Sequence, residues 1–335
     1  MLQFFYGSMK MELNSLDKHV TIGVHIAQEH MDFAGIKKVC KAAEELGFDS
    51  VTLMDHFRPY YPPKTGSLME CWTTLSALAK ETKNIKLGAL VTCASYRNPA
   101  VLAKIAACMD HISGGRLKFG IGAGWFQEEF QEYGVHFGKP KERIERLEEA
   151  IQIIRMMWTQ EEASFSGKYY KIDRAVCNPK PVQKPYPPIY VGGAGEKFTL
   201  KVVAKHANAW NAHGSLERYK NKLNVLKRHC REVDRDWREI KLSWSAWVVL
   251  SSDPREISEF QPSYIKTLDD FVDVSLVGTP EHCMKKMQLF INLGVSDFEL
   301  VFPDTFYSSS GQYPETPNLY TMEKFGEDIL SSFKT

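Results

Sequence analysis

The sequence predicts an α/β fold, a (β/α)8 TIM barrel with insertions after strands four and seven. Three observations carry that prediction. Short runs rich in β-branched residues alternate with longer segments of helical period, the pattern of parallel βα units. Eight strand candidates succeed one another in order, which favours a closed barrel over an open doubly wound sheet. Glycine-rich turns, at 122–124 and 192–195, stand at the ends of two of them. At 335 residues the chain suits one such domain over 20–335, preceded by an N-terminal extension over 1–19.

Strand one covers Val20 to Ala27. The helix after it carries Phe33, Ile36, Val39, Cys40, Ala43 and Leu46 on one face and ends at Gly47, a residue suited to a left-handed cap. Strand two is Ser50 to Met54, with a helix around Thr73 to Lys80 after it. Strand three is Lys86 to Cys93; Asn98 then caps a helix from Ala100 to Ile112, with Pro99 at its first position. Strand four, Arg116 to Ile121, runs into Gly122-Ala123-Gly124. The strongest helix covers Lys141 to Trp158, with Ile144, Leu147, Ala150, Ile151, Ile154 and Met157 as its apolar stripe. Residues 160–188, broken by five prolines, form an insertion. Strand five is Ile189 to Gly192, helix five Lys197 to His206, strand six Ala207 to Asn211, helix six Leu216 to Val233 and strand seven Leu242 to Leu250. An irregular stretch, 251–275, precedes a helix from Pro280 to Leu293 and strand eight, Asp297 to Phe302.

Composition narrows the function. Forty-two basic against 41 acidic residues leave a net charge of +1, so no global field gathers nucleic acid or an anionic membrane. Seven scattered cysteines without a C-x-x-C pair read as reduced thiols in a cytoplasmic protein. Phe4 to Tyr6 is too short and wrongly flanked for a leader and reads as an extended or frayed terminus, and no apolar run is long enough to span a bilayer. Walker, H-E-x-x-H, EF-hand and G-x-S-x-G signatures are all missing, and His25, His30, His206 and His213 are too dispersed to mark a metal site.

In a barrel of this kind the loops after the strands form the active face. Asp55-His56 comes after strand two, Thr92 ends strand three, Gly122 to Trp125 comes after strand four, Gly193 to Glu196 after strand five and Trp210 to His213 after strand six. Each alone has a bland reading: Asp55 as a helix cap, His56 as a structural histidine, Trp125 as packing. Their convergence on one mouth favours a site. Gly192-Gly193-Ala194-Gly195, between a strand and a helix, lets backbone N–H groups approach an anion, with a phosphate as the natural guest. Gly120-Ile121-Gly122-Ala123-Gly124 lacks the spacing and acidic partner of a dinucleotide fingerprint.

The segments Leu87–Thr92, Tyr96–Pro99, Ser113–Leu117, Gly120–Trp125 and Pro188–Gly193 resemble the bacterial luciferase-like family, and more narrowly its branch that uses the deazaflavin coenzyme F420. The resemblance implies a TIM barrel, a homodimer, and a tricyclic ring at the mouth with its phosphate tail near the loop after strand five. It implies a non-prolyl cis peptide in a bulge near Ala89-Leu90 and gives Asp55 and His56 as the acidic–histidine pair after strand two, with the histidine beside the reactive ring carbon. His56 is then the acid/base for an alcohol or carbonyl substrate, imidazole being suited to proton exchange near neutral pH. Asp55, Ala89, Leu90, Thr92, Gly122, Ala123, Gly124, Trp125, Gly192, Gly193, Ala194, Gly195 and Glu196 are the implied cofactor contacts. One departure stands out: sugar-phosphate dehydrogenases of the family carry a glutamate where this chain has Trp125, so their substrate and proton relay do not carry over. The implied function is hydride transfer between F420 and a small organic substrate. The alternatives are a monooxygenase using reduced FMN and oxygen, and a non-catalytic cofactor-binding barrel. Substrate determinants are expected in 160–188 and in the loops near 57–68, 251–275 and 304–317, with Tyr60, Tyr61, Trp72, Phe126 and Phe130 as a candidate aromatic pocket.

Overall fold

A computed structural model describes residues 20–306, 313–314 and 316–333. The N-terminal extension, with Phe4 to Tyr6, and part of the 304–317 loop lie outside the described residues. Strands β1 (Thr21–Ile26), β2 (Ser50–Leu53), β3 (Lys86–Cys93) and β4 (Leu117–Gly122) are parallel neighbours. Between them run α1 (Phe33–Glu45), α2 (Cys71–Glu81) and α3 (Pro99–Ser113). After β4 come α4 (Gln127–Glu132), α5 (Pro140–Thr159) and an antiparallel hairpin of β5 (Ala163–Ser166) and β6 (Lys171–Ala175). The barrel continues with β7 (Ile189–Gly192), α6 (Thr199–His206), β8 (Ala209–His213), α7 (Leu216–Glu232) and β9 (Lys241–Val249). Helices α8 (Pro254–Glu259) and α9 (Leu268–Val274), the short β10 (Leu276–Val277) and α10 (Pro280–Asn292) precede β11 (Val295–Val301), and α11 (Tyr320–Asp328) comes after it. β11 pairs with β1 and β9, and β9 pairs with β8, so eight parallel strands close on themselves as the sequence predicts.

Local chemistry explains the helices. The Asp32 side chain accepts from Gly35 N at the start of α1, whose Ile36, Val39, Cys40 and Ala43 are buried, and Gly47 beyond it has φ 86°. Asn98 caps α3 through Ala100 N, with Pro99 at the first turn. Several boundaries move by one or two residues, two of them with a visible cause. Helix α6 begins at Thr199 because 197–198 stay in the turn, and β8 begins at Ala209 because the N–H of Ala207 still closes α6 on Val203. Trp210 to His213 therefore lie in a strand rather than a loop. Trp210 stacks on Tyr219 at 4.8 Å, and Asn211 donates to Ser243 and Ser245, both at 2.9 Å.

The barrel floor is polar. Lys118 Nζ reaches both Asp297 oxygens at 2.9 Å and also Glu299, which accepts from Ser50 at 2.9 Å and Thr52 at 2.7 Å. Burial opposes the charge on Lys118, but the two carboxylates outweigh it and raise its pKa. The insertion at 160–188 runs on the outside: β5–β6 lies along α5, where Glu149 accepts from the N–H groups of Lys168, Tyr169 and Tyr170, and Gln183 reaches Asp110 and the carbonyl of Leu117 at the amino end of β4. It connects a helix to the next strand, so it begins at the amino ends of the strands.

Candidate active site

The chain after β2 turns at the carboxyl end of the barrel and brings Asp55 and His56 to different duties. Asp55 is buried and fully engaged: it accepts from Thr92 Oγ1 at 2.6 Å, Cys93 N at 3.1 Å and both terminal nitrogens of Arg97 at 2.7 and 3.0 Å. Arg97 also reaches Glu70, the N-cap of α2, at 2.5 Å. A carboxylate with four such donors is a strut that ties β2 to β3 and the loop after it.

His56 Nδ1 lies 2.8 Å from Glu129 Oε2. Glu129, on α4, accepts in addition from Tyr96 Oη, from Phe57 N at 2.7 Å and from Arg58 N at 3.3 Å. Burial pushes Glu129 upward, but the hydrogen bonds from His56, Tyr96 and Phe57 prevail and hold its pKa below the usual carboxylate value. The ionised carboxylate only accepts, so His56 Nδ1 carries a proton and donates it to this hydrogen bond. Sequence reasoning missed Glu129 and Tyr96. Adjacent Glu128 and Glu129 are the same residue type on a short helix, and only burial separates them: Glu128 is 74% exposed at its side chain and Glu129 0%.

Two further groups adjoin His56. His25, on β1, faces Thr52 Oγ1 at 3.0 Å; Thr52 donates to Glu299, so it accepts from His25 Nδ1. Burial, then the proximity of His56, lower the His25 pKa to about 4, which keeps it neutral. Glu29 is buried beside this group, accepts from Tyr60 N at 2.6 Å and Tyr61 N at 3.1 Å, and is raised by burial.

A cavity of about 160 Å³ opens here, lined by Met54, Asp55, His56, Leu90, Val91, Thr92, Cys93, Tyr96, Gly122, Gly124 and Trp125. Its wall holds a non-prolyl cis peptide, Leu90–Val91, one residue beyond the expected place, where the β3–β4 register shifts between Ala89 and Thr92. Ala89 itself is buried in the core. A Cβ on Gly122 or Gly192 would stand 2.7 or 2.9 Å from the Val91 side chain, so both positions require glycine for this wall to close. Ala123 and the 192–196 segment lie outside the lining, although Gly192 abuts Val91 from the next strand. The turn also differs in detail from expectation: Gly193 N donates to Asn211 O, and its carbonyl accepts from Trp210 Nε1, so this residue has neither group to spare. Glu196 accepts from Lys222 at 2.7 Å through its side chain and from His229 at 2.8 Å through its carbonyl. The N–H groups of 194–198, at the uncapped start of α6, donate to no acceptor among the described residues. A larger cavity, about 210 Å³ between Leu216 and Leu289, is floored by Lys286, whose ammonium already donates to three carbonyls. Among the described residues no cluster of His, Cys, Asp and Glu could hold a metal ion, and no helix is long and apolar enough to cross a membrane.

A closed parallel barrel with a histidine–carboxylate pair and a glycine-lined cavity at the carboxyl ends of its strands places the molecule among the TIM-barrel proteins with a mouth-side site. Residues 15–268 match the luciferase-like monooxygenase family, and the chain belongs to it. An uncharacterized protein of Mycobacterium tuberculosis is 37% identical over 142 residues, 42% of this chain and 49% of that protein, so the chain spans about half the length of that relative. An F420-dependent glucose-6-phosphate dehydrogenase of Amycolatopsis mediterranei is 31% identical over 238 residues, 67% of this chain and 69% of that protein. In fold, the chain is similar to an F420-dependent secondary alcohol dehydrogenase solved in complex with an F420-acetone adduct, with TM-score 0.79, 21% identity, and coverage of 93% of this chain and 98% of that one.

Proposed function

We propose that the protein is an F420-dependent oxidoreductase that moves a hydride between the deazaflavin and a small organic substrate, with His56 as the acid/base. The observation that carries this reading is the pairing of His56: its Nδ1–H donates to Glu129 and its ring lines the cavity with Leu90 and Val91, which leaves Nε2 as the nitrogen for a substrate proton. The residues fit the cofactor. Gly122, Gly124 and Gly192 leave room where side chains would collide, and the N–H groups of 194–198 at the positive end of α6 suit a phosphate tail. The deazaflavin, when bound, supplies the hydride acceptor or donor. His56 Nε2 takes the hydroxyl proton as an alcohol becomes a carbonyl, and returns it in reverse. Trp125 borders the cavity, while Asp55 and Thr92 hold the wall in place from behind.

The second reading, a reduced-FMN monooxygenase, is favoured by the family description itself. Titration with F420 and with FMN separates the two; micromolar binding of FMN alone overturns the proposal, and tight binding without turnover in a broad substrate screen leaves a cofactor-binding barrel. His56→Ala should lower turnover about 100-fold or more with cofactor affinity kept within a few-fold. Unchanged turnover removes His56 from the chemistry. The same reading expects a cytoplasmic homodimer, in keeping with seven free cysteines, and size-exclusion chromatography with light scattering tests the dimer.

A further inference from the structure

We propose that the substrate subsite beside His56 takes a neutral, planar, ring-bearing alcohol or ketone, held against Trp125; this rests on the deazaflavin reading. Trp125 is 58% exposed at the mouth, with its ring centroid 5.9 Å from His56 and edge-on. It is therefore a wall, not packing. Phe126 stacks behind it at 5.2 Å and 19°, and Tyr60 meets Trp125 at 5.2 Å, edge to face. Tyr264, delivered by the segment between α8 and α9, stands 6.3 Å from Tyr60 and is 55% exposed. Two large exposed aromatic side chains thus border one rim, the arrangement that gains most from a flat apolar guest.

Charge points the same way. Arg58, 4.4 Å over the Phe126 ring, is held by Glu128 at 3.0 Å and Glu132 at 2.5 Å. Arg97 is held by Asp55 and Glu70. The two guanidinium groups flanking the His56 loop are thus neutralised by buried or adjacent carboxylates. Neither guanidinium is left uncommitted for a phosphate or carboxylate on the substrate. In the forward step the carbinol O–H proton goes to His56 Nε2, the C–H hydride goes to the oxidised deazaflavin, and the C=O bond forms.

The test uses the deazaflavin-loaded enzyme and three probes measured by calorimetric binding and by KM: 1-(2-naphthyl)ethanol, its 6-carboxylate analogue, and glucose 6-phosphate. The neutral carbinol should bind at least ~10-fold more tightly than its carboxylate, and glucose 6-phosphate should give no heat. Trp125→Ala should weaken the carbinol about 10-fold, Trp125→Phe should restore most of it, and Tyr264→Ala should raise its KM. Equal or tighter binding of the carboxylate overturns the inference, as does a folded Trp125→Ala variant with unchanged carbinol affinity. A chain that takes up no deazaflavin instead overturns the proposed function.

Discussion

Replacing Glu129 by glutamine keeps the shape of the side chain and removes its charge, and the hydrogen bonds around it dictate the outcome. The carboxylate accepts four times: Oε1 from Phe57 N and Arg58 N, Oε2 from His56 Nδ1 and Tyr96 Oη. Glutamine has one acceptor oxygen and one donating NH2 group. Turning the NH2 toward Phe57 and Arg58 would strand buried N–H donors at about 1–3 kcal/mol each, so the oxygen takes that side. The NH2 then faces His56 Nδ1, which must become the acceptor and send its proton to Nε2. The ring stays in place while the lone pair leaves the cavity. Loss of a positioned general base costs about 10²–10⁴-fold, or about 3–5 kcal/mol of barrier. The expected result is a fall in kcat of at least ~100-fold, cofactor Kd within about twofold of wild type, and a reversed His56 tautomer in ¹⁵N-resolved spectra. A reversed tautomer with kcat within about threefold of wild type would refute the argument, because it would show that the lone pair at Nε2 does no chemistry.

Other perturbations test the frame around this pair. His25 has a folded pKa of about 4 against an unfolded value of about 6.5, so it is neutral in the fold and its contribution is intact above pH 6.5. As the pH falls from 6.5 toward 4 the unfolded chain binds the proton first, and about 2–3 kcal/mol is lost by about pH 4.5; His25→Gln should flatten that part of the urea-unfolding profile, and an unaltered slope would show His25 is not the titrating group. Arg97→Ala strips the buried Asp55 of its countercharge and should cost about 3–5 kcal/mol in denaturant unfolding, with Arg97→Lys recovering only part because Lys cannot donate in a fork to two carboxylates.

The barrel was legible because its elements are long enough to show a period. Each of the eight barrel strands falls near its expected span, and α1 and α5 bury most of the stripes read from spacing. The pieces that escaped are short or lie on the surface. The β5–β6 hairpin has the burial pattern of an outer ribbon, with little alternation to read, and α4 and α8 span six residues each. Strand β8 slid two residues because a terminal hydrogen bond at Ala207, invisible in composition, still belongs to the end of α6.

The site divides along the same physical line. Residues whose role depends on being small, such as Gly122, Gly124 and Gly192, announce themselves in a sequence, since close approach of backbone and side chain leaves no other choice. Residues whose role depends on where a charge ends up do not. The family resemblance makes Asp55 half of an acid–histidine pair, yet its oxygens turn to Arg97, Thr92 and Cys93; the carboxylate that His56 meets lies 73 residues away on a helix too short to display a face. The reason is one of capacity: Thr92, Cys93 and Arg97 already supply four donors to the Asp55 oxygens, while His56 Nδ1 is engaged by Glu129. A carboxylate that orients the imidazole must come from an element crossing over the mouth, and α4, placed by the Gly122–Gly124 turn, is the element that does so.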